Sequence, residues 1–282
     1  MKRIVDVDDY SSWSALEHAF GPARDVPDLL VDTRSSSQET RGTAWAMLRE
    51  RLFVSDGREA FPRRFSASPA VIPFLAGHAC DRTAPDRHEA LLLMLRLAVG
   101  DPDQNLGSDW TMVQIREGCD ALVKSAPEDA EQANLWCACY EAARQEIPQL
   151  ARLVAARTRK LRLAAVTVCP FFVDYRTDLS AALLRRWDRT DLHPRERAAV
   201  IIALSVLAPL PDEALAELAD DLSANALVRA ASAVSLHRRG QKLSGRALSV
   251  LREAAKRAVA GGEFPWERYV RRLAKEASIT AG

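Results

Sequence analysis

Residues 228–236 read VRAASAVSL, and this stretch decides how the rest of the chain is interpreted. An arginine is followed by small residues two or three positions later and by an apolar residue at the seventh position. The same order of residues begins at Arg41, Arg87, Arg162 and Arg197. The last three of the five arginines are separated by 35 and 32 residues, a spacing typical of helical repeat units. The pattern therefore predicts a chain built from recurring helices.

The composition supports helices throughout the chain. The 282 residues include 47 Ala and 34 Leu but only 12 Gly. Ala and Leu are strong helix formers and Gly is a poor one. Hydrophobic residues make up 48% and charged residues 27%, which excludes a collagen, a disordered tail and a disulfide scaffold.

Apolar residues recur with helical periodicity, whereas the alternation with period two that indicates strands is absent. Ser14 and Glu17 have the spacing of a capping box, and residues 53–66 and 100–107 are expected to be loops. The predicted helices cover residues 11–20, 26–31, 37–52, a segment from about 69, 85–99, 109–124, 128–145, 147–156, 160–172, 177–189, 194–208, 212–221, 224–239, 244–259 and 264–277. Ala165, Ala199 and Ala231 are expected to be buried where these helices pack together.

The stretch at 228–236 resembles the second helix of a HEAT repeat, in which a Val-Arg pair precedes a face of small residues. The resemblance implies an all-α, right-handed α-solenoid of about six to seven degenerate HEAT-like helix pairs, forming one domain over residues 1–282. In such repeats the arginine reaches carboxylates or carbonyls of the neighbouring repeat. Residues 13–21, 25–27 and 70–75 also resemble a group of actinobacterial HEAT-repeat proteins. This resemblance implies a bacterial protein with the same architecture and does not imply a particular activity.

The net charge of +1 is the sum of two halves of the chain that carry opposite net charges. Residues 1–150 contain 16 Lys and Arg against 24 Asp and Glu, a net charge of −8, whereas residues 151–282 contain 23 against 14, a net charge of +9. A chain with this distribution can bind a charged partner at one end or associate head to tail with a second copy. The alternative is a chance bias among solvated helix faces.

A basic cluster around one tryptophan is the candidate binding site. Its predicted members are Arg152, Arg157, Arg159, Lys160, Arg185, Arg186, Trp187, Asp188 and Arg189. A cluster that combines basic, aromatic and acidic side chains is one way to bind nucleic acid. It is similar in composition to the clefts of HEAT-like alkylpurine DNA glycosylases, which use Trp and Asp near the damaged base. The competing interpretation is that Trp187 covers a repeat interface and the arginine stems lie over it.

Motifs for catalysis, metals and cofactors are not found, so no catalytic residue, metal or cofactor is predicted. The single His88-Glu89 pair is similar to the pairs that HEAT-repeat deoxyhypusine hydroxylases repeat several times to hold two irons, but it occurs here once. The five cysteines are irregularly spaced and are expected to be buried free thiols. Their positions are Cys80, Cys119, Cys137, Cys139 and Cys169.

The sequence thus predicts a non-enzymatic scaffold that binds a protein or peptide, preferably an acidic one, on the concave face of a solenoid. The alternatives are a nucleic-acid binder or HEAT-like DNA glycosylase that uses the basic half, and an accessory or immunity protein of a bacterial gene cluster. Residues 1–9 do not resemble a secretory signal, and the longest uncharged stretch, 198–211, has 14 residues. A membrane span needs about 20 apolar residues, so a cytoplasmic protein without a membrane partner is expected.

Overall fold

Helices account for most of the chain, which confirms the all-α prediction. The computed structural model describes residues 10–54, 62–106, 111–189, 191–208, 210–256 and 265–280. The chain divides into an N-terminal unit, Met1–Asp101 with Trp110–Leu150, and a C-terminal unit, Pro102–Asp109 with Ala151–Gly282. Apart from Pro102–Asp109, the boundary between the two units coincides with the boundary between the acidic half, 1–150, and the basic half, 151–282. The prediction of one solenoid domain over residues 1–282 stays a prediction.

The N-terminal unit contains seven of the described α-helices and two small hairpins. The helices are α1 (Tyr10–Ser14), α2 (Val26–Asp32), α3 (Gln38–Leu52), α4 (Ala67–Cys80), α5 (Arg87–Val99), α7 (Met112–Ser125) and α8 (Ala130–Leu150), and the strands are β1 (Glu17–His18), β2 (Gly21–Pro22), β3 (Phe53–Val54) and β4 (Arg63–Arg64). Both strand pairs are antiparallel. The core of this unit is formed where α8 packs against α4, α5 and α7.

The C-terminal unit contains the other described helices. They are α6 (Pro102–Asn105), α9 (Arg159–Val168), α10 (Arg176–Trp187), α11 (Pro194–Leu207), α12 (Asp212–Asp220), α13 (Ala226–Arg238), α14 (Gly245–Lys256) and α15 (Pro265–Thr280). Short 3-10 helices cover Ala151–Ala155, Cys169–Phe171 and Val173–Tyr175. Helix α10 packs against α11, α12 against α13, α13 against α14 and α14 against α15. Helices α9, α11, α13 and α15 also pack one against the next.

The predicted helix at 11–20 is wrong, because α1 ends at Ser14 and a hairpin follows. His18 stabilises the turn: its Nδ1 accepts a hydrogen bond from the backbone N–H of Phe20, and its Nε2 lies 2.8 Å from Asp25 Oδ1. Gly21 has a φ of 117°, which a glycine adopts without strain. Ser14 donates to the carbonyl of Ser11 and so caps no helix. These tertiary and side-chain bonds outweigh the local capping pattern.

Both segments expected to be loops also contain regular structure. The described part of 53–66 forms β3 and β4, while residues 55–61 lie outside the described residues. The side chain of Gln132 accepts from the backbone N–H of Arg64 and donates to its carbonyl, with distances of 2.9 and 3.1 Å. Within 100–107, Pro102–Asn105 forms α6. Strands of two residues and a helix of four are too short to produce a periodic signal in the sequence.

The predicted helix break near residue 146 is also wrong, because α8 continues to Leu150. Its buried face includes Tyr140, Ala143, Ile147 and Leu150, at a spacing that keeps all four on one side. Pro148 lies in the last turn of this helix, so the lost hydrogen bond and the clash of its ring affect only the C-terminal end of α8. The remaining predicted helices overlap described helices, and Ala151–Ala155 of the predicted helix at 147–156 forms a 3-10 helix. Residues 109–110, 257–259 and 264 of the predicted helices lie outside the described residues.

Four of the recurring arginines occupy the same place in their helices. Arg41, Arg162, Arg197 and Arg229 are each the fourth helical residue, and Arg87 is the first residue of α5. The small residues behind them are buried as predicted: Ala165 is 5% exposed, Ala199 2% and Ala231 0%. Small side chains allow helices to approach closely, so the pattern at 228–236 marks helix contacts.

Candidate functional site

The C-terminal unit contains a cleft of about 550 Å³. The residues that line it belong to the start of α11, the first half of α13 and the segment before it, helix α14, and the first half of α15. This volume is within the range of pockets that bind small molecules or short chain segments. A smaller cavity of about 160 Å³ lies in the N-terminal unit beside Trp45 and His78. The larger cleft is the better candidate, because it combines apolar walls with several charged side chains.

Local sequence determines where the helices that form the cleft begin. The Asn225 side chain accepts a hydrogen bond from the Leu227 N–H and caps α13, at 2.9 Å. Ser244 accepts from the N–H of Ala247 at 3.0 Å and fixes the start of α14. Helix α15 is amphipathic, and its buried face includes Trp266, Tyr269, Val270 and Ala274. That face holds α15 against α13 and α14.

Apolar side chains form the walls of the cleft. Leu227 and Ala230 come from α13, Val250 from α14 and Val270 from α15. Leu222 belongs to the lining as well, and 71% of its surface is exposed. An exposed leucine beside an apolar cleft extends the surface that a ligand can cover.

Four arginines and two glutamates also line the cleft. They are Arg195, Arg229, Arg246, Arg271, Glu253 and Glu267. Arg195 Nε lies 2.9 Å from Oε1 of Glu267, whose side chain is only 4% exposed. Arg229 donates from Nε to the carbonyl of Ala219 at 3.2 Å. The lining therefore has an excess of two positive charges.

Two of the polar atoms of α15 that have no hydrogen-bond partner within the described part of the chain belong to residues of the cleft. Glu267 Oε2 and Arg271 Nε are buried, and neither has a hydrogen-bond partner there. Buried polar atoms without partners are costly, and they occur preferentially where a ligand or water completes the site. Both residues line the cleft. The arrangement can therefore provide an acceptor and a donor beside an apolar surface.

The sequence-predicted cluster is placed elsewhere in the C-terminal unit, and only part of it is exposed. Arg152, Arg157, Arg159, Lys160, Arg185 and Asp188 are exposed. Arg189 pairs on the surface with Asp191 at 2.8 Å. The guanidinium of Arg197 lies 5.0 Å from the centre of the half-buried Trp187 ring. This contact agrees with the interpretation in which arginine covers Trp187.

Arg186, the remaining member of that cluster, contributes to a buried ion-pair network. Glu196 is 0% exposed and accepts hydrogen bonds from Arg186 and from both Nε and Nη2 of Arg162, the latter two at 3.0 Å. Burial by itself raises the pKa of Glu196, but the hydrogen bonds from Arg162 and Arg186 lower it more, so the pKa lies below its ordinary value. The network therefore uses Arg186 to compensate a buried charge.

The cleft could not be predicted from the sequence, because its residues come from separate segments between 195 and 271. The apolar periodicity of α14 and α15 was visible in the sequence, but it predicts one buried face and does not show a gap between helices. Arg229 was identified as a repeat arginine, while Arg246 and Glu267 carried no distinguishing signal. The position of Glu267 as the third residue of α15, like Glu196 in α11, is apparent only once the helices are placed.

The structure also describes the His88-Glu89 pair, the five cysteines and the lengths of the helices. His88 Nε2 lies 3.6 Å from Glu89 Oε1, and within the described ranges no group of three or more His, Cys, Asp or Glu residues could hold a metal ion. All five cysteines are free: Cys119, Cys139 and Cys169 are buried as expected, whereas Cys80 and Cys137 are half-buried. In the same described ranges, no helix has both the length and the hydropathy required to cross a bilayer.

Comparison with protein-family models, with curated proteins and with solved structures gives no match for this chain.

Proposed function

We propose that this protein is a non-enzymatic binding module whose C-terminal unit binds a short apolar segment of a partner protein that carries a carboxylate. The observation that carries the proposal is the cleft of about 550 Å³ with apolar walls and four arginines in its lining. An apolar segment would cover Leu227, Val250 and Val270, while its carboxylate would bind at the arginines.

The charges of the cleft favour an acidic ligand. Arg195 already compensates Glu267, but Arg246 is exposed at the start of α14 and pairs with no carboxylate among the described residues. A guanidinium binds a carboxylate with two parallel hydrogen bonds, which adds both energy and orientation. The net charge of +9 over residues 151–282 also attracts an acidic partner from a distance.

The size of the cleft favours a short segment. A volume of about 550 Å³ accommodates a few side chains and excludes a folded domain. Leu222 then provides apolar surface beyond the cleft for the neighbouring residues of the segment. We therefore propose an extended or helical peptide stretch as the ligand.

The proposal includes the HEAT-like, right-handed solenoid of about six to seven helix pairs. It is supported by the packing of α9, α11, α13 and α15 one against the next, with α10, α12 and α14 each packed on the helix that follows it. In a solenoid each repeat contacts only its neighbours, and the concave surface is used for binding. The recurring arginine at the fourth position of α9, α11 and α13 supports repeated units as well.

A selection from a random peptide library displayed on phage, with the full chain immobilised, tests the function. We expect enriched peptides that combine apolar residues with Asp or Glu. Binding of a fluorescent copy of such a peptide should weaken about tenfold in Arg246→Glu, equivalent to about 1.4 kcal/mol. Ala226→Trp should abolish binding, because Ala226 is exposed and lines the cleft, so a large side chain there occupies the site.

Arg252→Glu is the matched control, since Arg252 is also exposed on α14 but does not line the cleft. Equal weakening by Arg246→Glu and Arg252→Glu would indicate general attraction to a basic surface. Enrichment of basic peptides, or of none, would contradict the proposal.

A second experiment measures binding of the protein to duplex DNA at about 50 mM salt, where surface charges are only partly screened. Tight binding that is lost in a combined Arg152→Ala, Arg157→Ala and Arg185→Ala variant would favour the nucleic-acid alternative. These three arginines are exposed, so their replacement leaves the Glu196 network intact. We expect weak binding or none, because residues 1–150 carry a net charge of −8.

A further inference from the structure

The N-terminal unit contains a pair of thiols at nearly bonding distance. The sulfur atoms of Cys119 in α7 and Cys137 in α8 are 2.8 Å apart. A disulfide bond is about 2.05 Å long, so only a small approach of the two sulfur atoms separates this pair from a bond. Both cysteines are free in the structure.

The contacts around the two thiols show that they face each other from opposite helices. Cys119 Sγ donates to the carbonyl of Ala133, which is one turn before Cys137 on α8, at 3.2 Å. Cys137 Sγ lies 3.9 Å from the carbonyl of Ile115, which is one turn before Cys119 on α7. This reciprocal arrangement means that α7 and α8 present the two cysteines at the same level of their interface.

The two thiols differ in their access to solvent. Cys119 is 4% exposed, and its burial raises its pKa above the ordinary value. Cys137 is only half-buried, so it is the more exposed residue of the pair. Because the thiolate is the nucleophile in thiol oxidation and access is required, Cys137 is the residue that reacts first.

We propose that Cys119 and Cys137 form a redox modification site, at which hydrogen peroxide converts the two thiols into a reversible disulfide. The sulfur of Cys137 attacks one peroxide oxygen, which breaks the O–O bond and gives a sulfenic acid and one water. The sulfur of Cys119 then attacks the sulfur of the sulfenic acid. The S–O bond breaks, and the hydroxyl leaves as a second water with the proton of Cys119. Two electrons pass from the sulfurs to the peroxide.

The disulfide would join α7 to α8, and α8 is the helix against which α7 chiefly packs. The 3-10 helix Pro127–Asp129 connects the two, so the bond closes a short loop and restricts the opening of this hairpin. Oxidation therefore acts within the N-terminal unit, whereas the proposed peptide cleft belongs to the C-terminal unit.

Treatment of the reduced full chain with hydrogen peroxide, followed by thiol titration in denaturant and mass measurement, tests this proposal. We expect the titre to fall from five thiols to three and the mass to decrease by two hydrogen atoms, with dithiothreitol restoring both. Tryptic peptides 117–124 and 125–144 should become linked, since Arg116, Lys124 and Arg144 are the cleavage sites. The oxidised chain should also melt at a higher temperature.

Three variants identify the residues. Cys137→Ser should remove the linked peptides, whereas Cys139→Ser should retain them, which distinguishes the two cysteines of peptide 125–144. Cys80→Ser is the control for a half-buried thiol outside the pair and should also retain the link. A titre that remains at five, a link that persists in Cys137→Ser, or a bond between two copies of the chain would overturn the proposal. Circular dichroism of each reduced variant verifies that it is folded.

Discussion

Arg41 in the N-terminal unit and Arg162 in the C-terminal unit make the same contacts in different surroundings. Each is the fourth residue of its helix, and each donates from Nη1 to the carbonyls six and five residues earlier. Each also binds a carboxylate at the beginning of a later helix, Asp86 for Arg41 and Glu196 for Arg162. One arginine thereby connects its own turn to a helix more than thirty residues away.

The carboxylates differ in burial and in the number of arginines that bind them. The Asp86 side chain is 34% exposed and pairs with Arg41 at 2.6 Å. The Glu196 side chain is 1% exposed and binds both Arg162 and Arg186. One sequence pattern therefore produces a single, partly exposed ion pair in one unit and a buried network with two arginines in the other. The burial of the acceptor makes the difference, because desolvation makes loss of a partner costly.

The largest expected effect separates the two carboxylates. Glu196→Ala leaves two largely buried arginines without their counter-charge and should lower the free energy of unfolding by about 3–5 kcal/mol. Asp86→Asn should cost less, about 1–2 kcal/mol, because only Arg41 loses its counter-charge and it still donates to the carbonyls of Ser35 and Ser36. Urea denaturation monitored by circular dichroism measures both values. Equal losses would contradict the assignment of Glu196 as the buried member of the comparison.

Unfolding measured as a function of pH tests whether the buried Glu196 is ionised, and we expect a smaller change in stability than for Glu196→Ala. The lowered pKa of Glu196 means that its ionised form stabilises the fold above the ordinary pKa of 4.5, and this contribution is lost as the pH falls through the lower folded value. The stability advantage of the wild type over Glu196→Gln should therefore be largest near neutral pH and shrink below about pH 4.5. Other carboxylates titrate in both proteins and cancel in the difference. A difference that is independent of pH would contradict the ionised state of Glu196.

Overpacking of the small-residue face should affect both units similarly. Ala90 in α5 and Ala231 in α13 are each 0% exposed and follow a repeat arginine within three residues. Ala90→Leu and Ala231→Leu should each cost about 1–3 kcal/mol, because extra methylene groups have no space at a close helix contact. The control is Ala216→Leu on α12, an exposed position that should leave the melting temperature nearly unchanged. A tolerated leucine at either buried site would show that the helix contact there is loose.

The smallest effect is expected for the surface pair of Arg189 and Asp191. Their side chains are 54% and 66% exposed. Arg189→Ala should leave the unfolding midpoint within experimental error, since exposed ion pairs contribute little to stability. A clear loss of stability would mean that this pair takes part in packing.

The sequence predicted more about the helices than about the site. Helix positions could be inferred because apolar periodicity and caps such as Asn225 act over a few residues. Residues 11–20 were misassigned because His18 and Asp25 stabilise a hairpin that local capping rules do not include. The basic cluster could be located as a group of residues, but its composition did not show that Arg186 binds a buried glutamate.

The sequence by itself determined the all-α class, the recurring arginines and the small residues that follow them, because helix propensity and periodicity are local properties. Only the tertiary structure decided which arginine is paired inside the protein and which is exposed. Glu196 is 34 residues from Arg162, the cleft spans Arg195 to Arg271, and Cys119 is 18 residues from Cys137. Such distances in the chain become contacts only when helices pack, and packing determines burial, charge compensation and access to each site.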